Sequence, residues 1–358
     1  MRVMLLIGTR KGAFIATSDP TRFEWNLRGP FLKGTEVNHL GWIPTTRTLI
    51  ASAKNAWWGP VIRLSTDLGE NWREPATEIR FAEGRDLSVD RIWFVKPDPR
   101  APHRLYAGVD PGALFVSENG GDTWKELESL TTHPTRAKWF PGGGGLMVHS
   151  IAFPFAHPSR LITGISAAGA FRTDNDGATW TPKNTGVRAD FLPDKFPEAG
   201  QCVHHLEAHP QEPDVLYQQN HCGVYRSDDG GDMWVDISEG LPSRFGFPLA
   251  VPPNQGDTVF VIPEEGSEAR MTPAGAFGIY RSRNRGASWE LLTGGLPQRN
   301  AYINVMRMAM AADSSDPPGV YVGTQGGQIM GSRDTGDHWA LLFNWLPPVY
   351  SVEAVSVE

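Results

Sequence analysis

Cysteine is nearly absent from this 358-residue chain: there are two, Cys202 and Cys222, too few to frame a disulfide-stapled fold of this size. Long apolar runs are missing as well. No stretch approaches the roughly 20 apolar residues that a membrane-crossing helix needs, so no membrane association is expected. The apolar run from Val3 to Ile7 is too short for the core of a signal peptide and no small-residue cleavage site follows it, which makes the cytoplasm the expected location. Basic charge is not in excess either: 33 Lys and Arg stand against 40 Asp and Glu, a net charge of −7. A nucleic-acid partner is therefore not expected, because phosphate binding draws on a basic surface that releases counterions.

Glycine, proline and tryptophan are abundant instead, at 39, 29 and 13 residues, a mixture that suits short strands, tight turns and large aromatic anchors. The tryptophans belong to a repeat. Ser65-Thr66-Asp67-Leu68-Gly69-Glu70-Asn71-Trp72 returns in related form at 117–124, 173–180, 227–234, 282–289 and 332–339, with a worn copy from Ser18 to Trp25. Each motif places a hydroxyl, an Asp or Asn, a Gly and a Trp at fixed offsets. The short polar side chain holds the turn by accepting backbone N–H groups, Gly supplies a positive φ, and the indole packs on the sheet. Because Asn replaces Asp in several copies, these carboxylates read as structural.

Around each motif four strands recur: an inner strand, a Leu-Tyr strand, a strand entering the motif and a Trp strand. The spacing of about 47–56 residues fits propeller blades. The first unit has no inner strand ahead of it, and the alternating segment 349–357 has no unit of its own. Pairing the two closes a ring and removes two raw sheet edges. The expected fold is all-β: one domain over 1–358, a seven-bladed β-propeller of four-stranded antiparallel blades, closed by the C-terminal strand pairing with the N-terminal blade.

At these motif residues the chain resembles the Asp-box, or bacterial neuraminidase repeat, propellers. That group includes sialidases, xyloglucan-cleaving glycoside hydrolases, the sortilin luminal domain and photosystem II assembly factors. The resemblance implies the fold but spans both enzymes and binding modules. The Arg-Ile-Pro element of sialidases is missing and the blades number seven rather than six, which sets the chain apart from sialidases.

Topology sorts the loops. The connections between blades and the turns between second and third strands share one face; the Asp-box turns lie on the other. The long excursions 126–147, 183–201 and 263–277 all fall on the first face, the expected seat of function. Its turns carry Arg10, Lys11, Lys54, Asn55, Trp57, Trp58, Asp110, Gln219, Asn220, His221, Glu264, Glu265 and Gln325. Its inner strands open with Glu36, Asn38, His39, Arg91, His149, His204, His205 and Arg307. Two readings stand: a solvated axial channel, or convergence on a small polar or carbohydrate-like ligand.

The fifth unit is the richest. Cys202 is expected opposite His221 and Cys222 on antiparallel strands. Cys202, Cys222, His204 and His221, with His149 from the neighbouring inner strand, are candidate ligands for a divalent metal; hydrogen-bonded histidines or a cross-strand disulfide are the alternatives. Glu36, Asp110, Glu264 and Glu265 are candidates for a carboxylate pair in glycoside cleavage. Trp57, Trp58 and Trp139 are candidates to stack on sugar rings. Gly142 to Gly145 lacks the Lys and Ser/Thr of a phosphate-binding P-loop and reads as a flexible entry to the next strand. The leading expectation is a ligand-binding, glycoside-hydrolase-like propeller; the alternative is a scaffold for a protein partner.

Overall fold

A computed structural model describes residues 2–357. Seven antiparallel sheets surround an axis, six of them four-stranded. Their inner strands are Glu36–Ile43, Arg91–Asp98, Val148–Ala152, Val203–Ala208, Gly246–Ala250, Met310–Ala312 and Val349–Val357; the blade of Val349–Val357 is numbered 1 and the others follow in chain order from 2. The last strand does close the ring. It pairs antiparallel with Arg2–Thr9, from Arg2 opposite Val357 to Ile7 opposite Val352, and Val352 N donates to Met308 O of blade 7 at 2.8 Å. Among the described residues no helix is long and apolar enough to cross a membrane.

Blade 2 departs from the expected four strands. It has three, Glu36–Ile43, Thr48–Asn55 and Gly59–Ser65, and the fourth is reduced to a single bridge between Leu64 and Arg73. Pro75 follows two residues later, and proline has no N–H with which to extend a ladder.

The core lies between blades, where the apolar faces of adjacent sheets meet. The second strands contribute Tyr106, Tyr217 and Tyr321, all essentially buried, each side chain of this size adding about 1.5–3 kcal/mol on burial. The hydroxyl of Tyr217 reaches Gly256 O in the next blade at 3.1 Å. Tyr321 donates to Asp313 at 2.8 Å.

The six repeated turns share one hydrogen-bond pattern. In blade 5, Ser227 Oγ donates to Asp229 at 2.8 Å and accepts Gly231 N at 2.8 Å, while Asp229 accepts Met233 N at 2.9 Å. Two tryptophans reach back to the preceding blade: Trp234 Nε1 donates to Lys183 O at 2.9 Å and Trp289 Nε1 to Ile237 O at 2.7 Å. These turns therefore staple blades as well as hairpins. Ser227→Ala strands the buried Gly231 N–H, and a loss of about 1–3 kcal/mol is expected, read as a lowered midpoint in thermal or denaturant melts.

Candidate functional site

The long excursions meet. A pocket of about 270 Å³ at the axial mouth is walled by Gly142 to Gly145 from the first, Phe191 from the second, and Ser267 and Arg270 from the third. Its floor comes from Ser166, Cys202, His204, His221, Phe245, Phe247 and Arg307. Blades 4 to 7 thus build one site, because the connections between blades and the turns between second and third strands open on the same side of the ring.

Blade 5 supplies its centre. Cys202, just before the strand, and His204 within it both line the pocket, and His221 N donates to Cys202 O at 2.9 Å across the hairpin. The contact between His204 Nδ1 and Gly246 O, 2.6 Å, requires the ring to donate there and leaves Nε2 as the free acceptor. Burial, with Arg307 next, holds the His204 imidazolium well below the ordinary histidine range. Burial and then Arg270 and Arg307 lower His221 likewise. Burial pushes the Cys202 thiol up and brings the Arg307 guanidinium down to about 10. At neutral pH the histidines and thiol are uncharged and both arginines are cationic.

The aromatic wall completes the floor. Phe245 packs edge-on against His204, His221 and Phe247, with centroids 5.1–5.3 Å apart. The Arg307 guanidinium lies 4.6 Å from the Phe247 centroid, a cation–π contact that keeps the charge in place.

The metal candidates separate. Ligand atoms of Cys202, His204 and His221 lie within 4.8 Å of one another. Cys222 stands apart: it is a free thiol, as is Cys202, and accepts Asp190 N at 3.3 Å. His149 is buried around a separate small axial cavity with Asn38, Trp93, Tyr350 and Arg307. A cation among the three grouped residues would sit beside two guanidinium charges and a protonated thiol, an arrangement that opposes it.

The other sequence candidates fall into distinct places. His205 and His39 leave this pocket. His205 Nε2 meets Glu207 at 2.8 Å and His39 Nε2 meets Glu353 at 2.7 Å, and His205, Glu207 and Glu353 line a second axial cavity with Lys96. Glu36, Lys54, Arg91 and Asp110 gather at blades 2 and 3, where Lys54 pairs with Asp90 at 2.9 Å and Arg91 approaches Glu36 at 3.9 Å. Burial, then the charge of Asp90, pushes the Asp110 carboxyl up to about 6. Asn220 turns into its own hairpin, bonding Gln218 and accepting Cys222 N. Arg10, Lys11, Trp57 and Trp58 are exposed at turns, whereas Trp139 is buried and donates to Thr135 at 3.0 Å.

Among the described residues no carboxylate lines the axial-mouth pocket. Glu264 is fully buried and accepts Asn304 Nδ2 and Val305 N at 2.9–3.0 Å, while Glu265 caps Ala274 N. Gly142 to Gly145 differs from its expected role as a loose entry. It is a closed turn, Gly145 N to Gly142 O at 3.0 Å, and it forms a wall of the pocket.

Arg270, Phe191, Phe245 and Phe247 escaped sequence reasoning. The excursion bearing Arg270 was legible, but not which of its residues turns inward. Phe247 sits on the blade 6 inner strand near the position His204 takes in blade 5, and that blade-to-blade comparison was the available signal.

No protein-family model matches the chain. The chain is 24% identical over 239 residues to a xyloglucanase of Hypocrea jecorina (strain QM6a), covering 62% of this chain and 27% of that enzyme; it spans about a quarter to a third of the length of the curated relatives it matches. Among solved structures, the GH74 enzyme of Niastella koreensis superposes with a TM-score of 0.61 at 18% identity, over 98% of this chain and 51% of the other. YCF48 bound to a D1 peptide superposes at 0.52 with 14% identity, over 84% of this chain and 80% of the other. In fold, the chain is a seven-bladed β-propeller, similar at low identity to xyloglucanases and superposing on both a GH74 enzyme and YCF48.

Proposed function

We propose that this propeller binds a small polar, sugar-like ligand in the axial-mouth pocket. One observation carries the reading: three excursions far apart in sequence converge on a single concave site of about 270 Å³, near the small end of the roughly 300–1,000 Å³ range of ligand pockets. An aromatic wall beside a few convergent polar groups suits a monosaccharide-sized ring, which offers an apolar face and a polar rim. The similarity to xyloglucanases is in keeping with this ligand class.

Calorimetric titration with mono- and oligosaccharides tests it. His221→Ala and Phe191→Ala each remove one pocket side chain that is not fully buried, so affinity is expected to fall about tenfold with the fold intact. Saccharide binding that both variants leave unchanged would place the site elsewhere and sink the reading.

A second reading has its own observation. Trp57, Trp58, Phe140, Phe196, Tyr302 and Trp345 are exposed, and all sit on connections of the pocket-bearing face. Such a rim suits a protein partner laid over the mouth; YCF48, similar in fold, has been solved bound to a D1 peptide. Trp57→Ala paired with Trp345→Ala would abolish that docking and leave saccharide titrations in the pocket unaffected.

A further inference from the structure

Among the described residues, two guanidinium groups in the axial-mouth pocket, those of Arg270 and Arg307, have no carboxylate partner. Several buried or part-buried arginines elsewhere pair with carboxylates: Arg100 with Asp98, Arg160 with Asp174 and Asp214, Arg281 with Glu290 and Asp337. Arg270 bonds only the backbone of Ser267, at 2.8 Å. Arg307 has a buried Nε with no hydrogen-bond partner and rests on Phe247. Glu264, a carboxylate that both guanidinium charges reach, directs its oxygens to Asn304 and Val305. Arg307 is part-buried and feels the charge of Arg270, which stands exposed at the pocket rim; two like charges this close favour an incoming counter-charge.

The geometry points to a ligand that supplies it: we propose that the pocket takes a compact sugar-like molecule bearing an anionic group, a carboxylate or phosphate, seated between Arg270 and Arg307. This rests on the ligand reading above and names its substrate class. The glycine turn serves the same end. A Cβ at Gly143 would stand 3.5 Å from Arg270 Nη2, and one at Gly144 would stand 3.7 Å from Arg307 Nη2. Larger side chains would fill the space before both guanidinium groups, and bare backbone leaves it open. Arginine presents a planar fork of donors that matches both oxyanions. His204 Nε2 remains to accept a hydroxyl, and the phenylalanine wall faces the apolar side of the ring. The same two charges argue against a cation among Cys202, His204 and His221, so the site discriminates by sign.

Crystals of the full chain soaked in selenate locate the anion by anomalous scattering, with a peak expected between Arg270 and Arg307. Calorimetry then compares D-glucuronate, D-glucose 6-phosphate and D-glucose, three ligands sharing one ring. At least one charged sugar is expected to bind about tenfold or more tighter than glucose, and the better of the two identifies the anionic group. Arg270→Gln, at an exposed position, is expected to remove that advantage; Arg307→Lys keeps the charge and guards against misfolding in Arg307→Gln, with circular dichroism as the check. Glucose binding as tightly as the charged sugars overturns the anion and leaves the ligand reading standing. Selenate at the site with no charged-sugar preference marks an adventitious ion only and overturns it equally. No sugar bound in the pocket at all overturns the ligand reading itself. Stoichiometric divalent metal on Cys202, His204 and His221 in the purified protein overturns the sign selection.

Discussion

Ending the chain at Leu346 is expected to abolish cooperative folding. The segment lost carries the inner strand of blade 1, and with it the ladder from Arg2 opposite Val357 to Thr9 opposite Val349. Strand Arg2–Thr9 would then become an edge facing the axis, with unpaired N–H and C=O groups open to other chains. Val349 and Val352 are buried at 0% and 2% exposure, worth about 1.5–3 kcal/mol each. His39 would lose Glu353, its 2.7 Å partner. Together these losses rival the entire stability of a typical domain, about 5–15 kcal/mol. Size-exclusion chromatography should show aggregates, and calorimetry no sharp transition. A truncated chain that stays monomeric and melts within a few degrees of the full protein would show that the ring does not depend on this closure.

Glu264 sets a pH dependence of opposite sign to the usual carboxylate. Burial pushes it up to about 7 from 4.5, against the lowering effect of its bonds to Val305 and Asn304 and of the nearby arginines. A carboxyl raised in the folded state binds its proton more tightly there than when unfolded. Its stabilising contribution is full below about pH 4.5 and is lost as pH rises through about 7. The shift corresponds to about 3 kcal/mol. Glu264→Gln removes the titration, keeps an acceptor for Val305 N, and requires the Asn304 amide to flip. The variant is expected to be about 1–3 kcal/mol more stable than the parent at pH 8, and to lose that margin by pH 4.5. Urea melts at both pH values measure it; a parent at least as stable as the variant at pH 8 would refute the buried-carboxyl cost.

The ring and its closure were legible because they are written in local chemistry. Each turn needs a hydroxyl, a short polar side chain, a Gly and a Trp within eight residues, so the motif shows in sequence without reference to anything distant. The missing fourth strand of blade 2 was equally local, in Pro75, yet it was overlooked because Trp72 kept the repeat intact. Cys202 opposite His221 followed from hairpin register. The division of His204 and His205 between two cavities accords with the alternation of adjacent strand residues. The register shift between Val203 and His205 was not legible, since a bulge of that kind has no marker in the residues themselves.

By itself, then, the order of residues determined the blade count, the strand that shuts the circle and the side on which the loops collect, since those depend on short-range turn chemistry and on the fixed alternation of strand direction. Tertiary structure alone decided that Arg270 and Arg307 share a pocket without a carboxylate, that Asp110 and Glu264 stay outside its lining, and that Trp139 is core. Those facts depend on distances between segments dozens to more than a hundred residues apart, and only the packing of one blade against the next determines them.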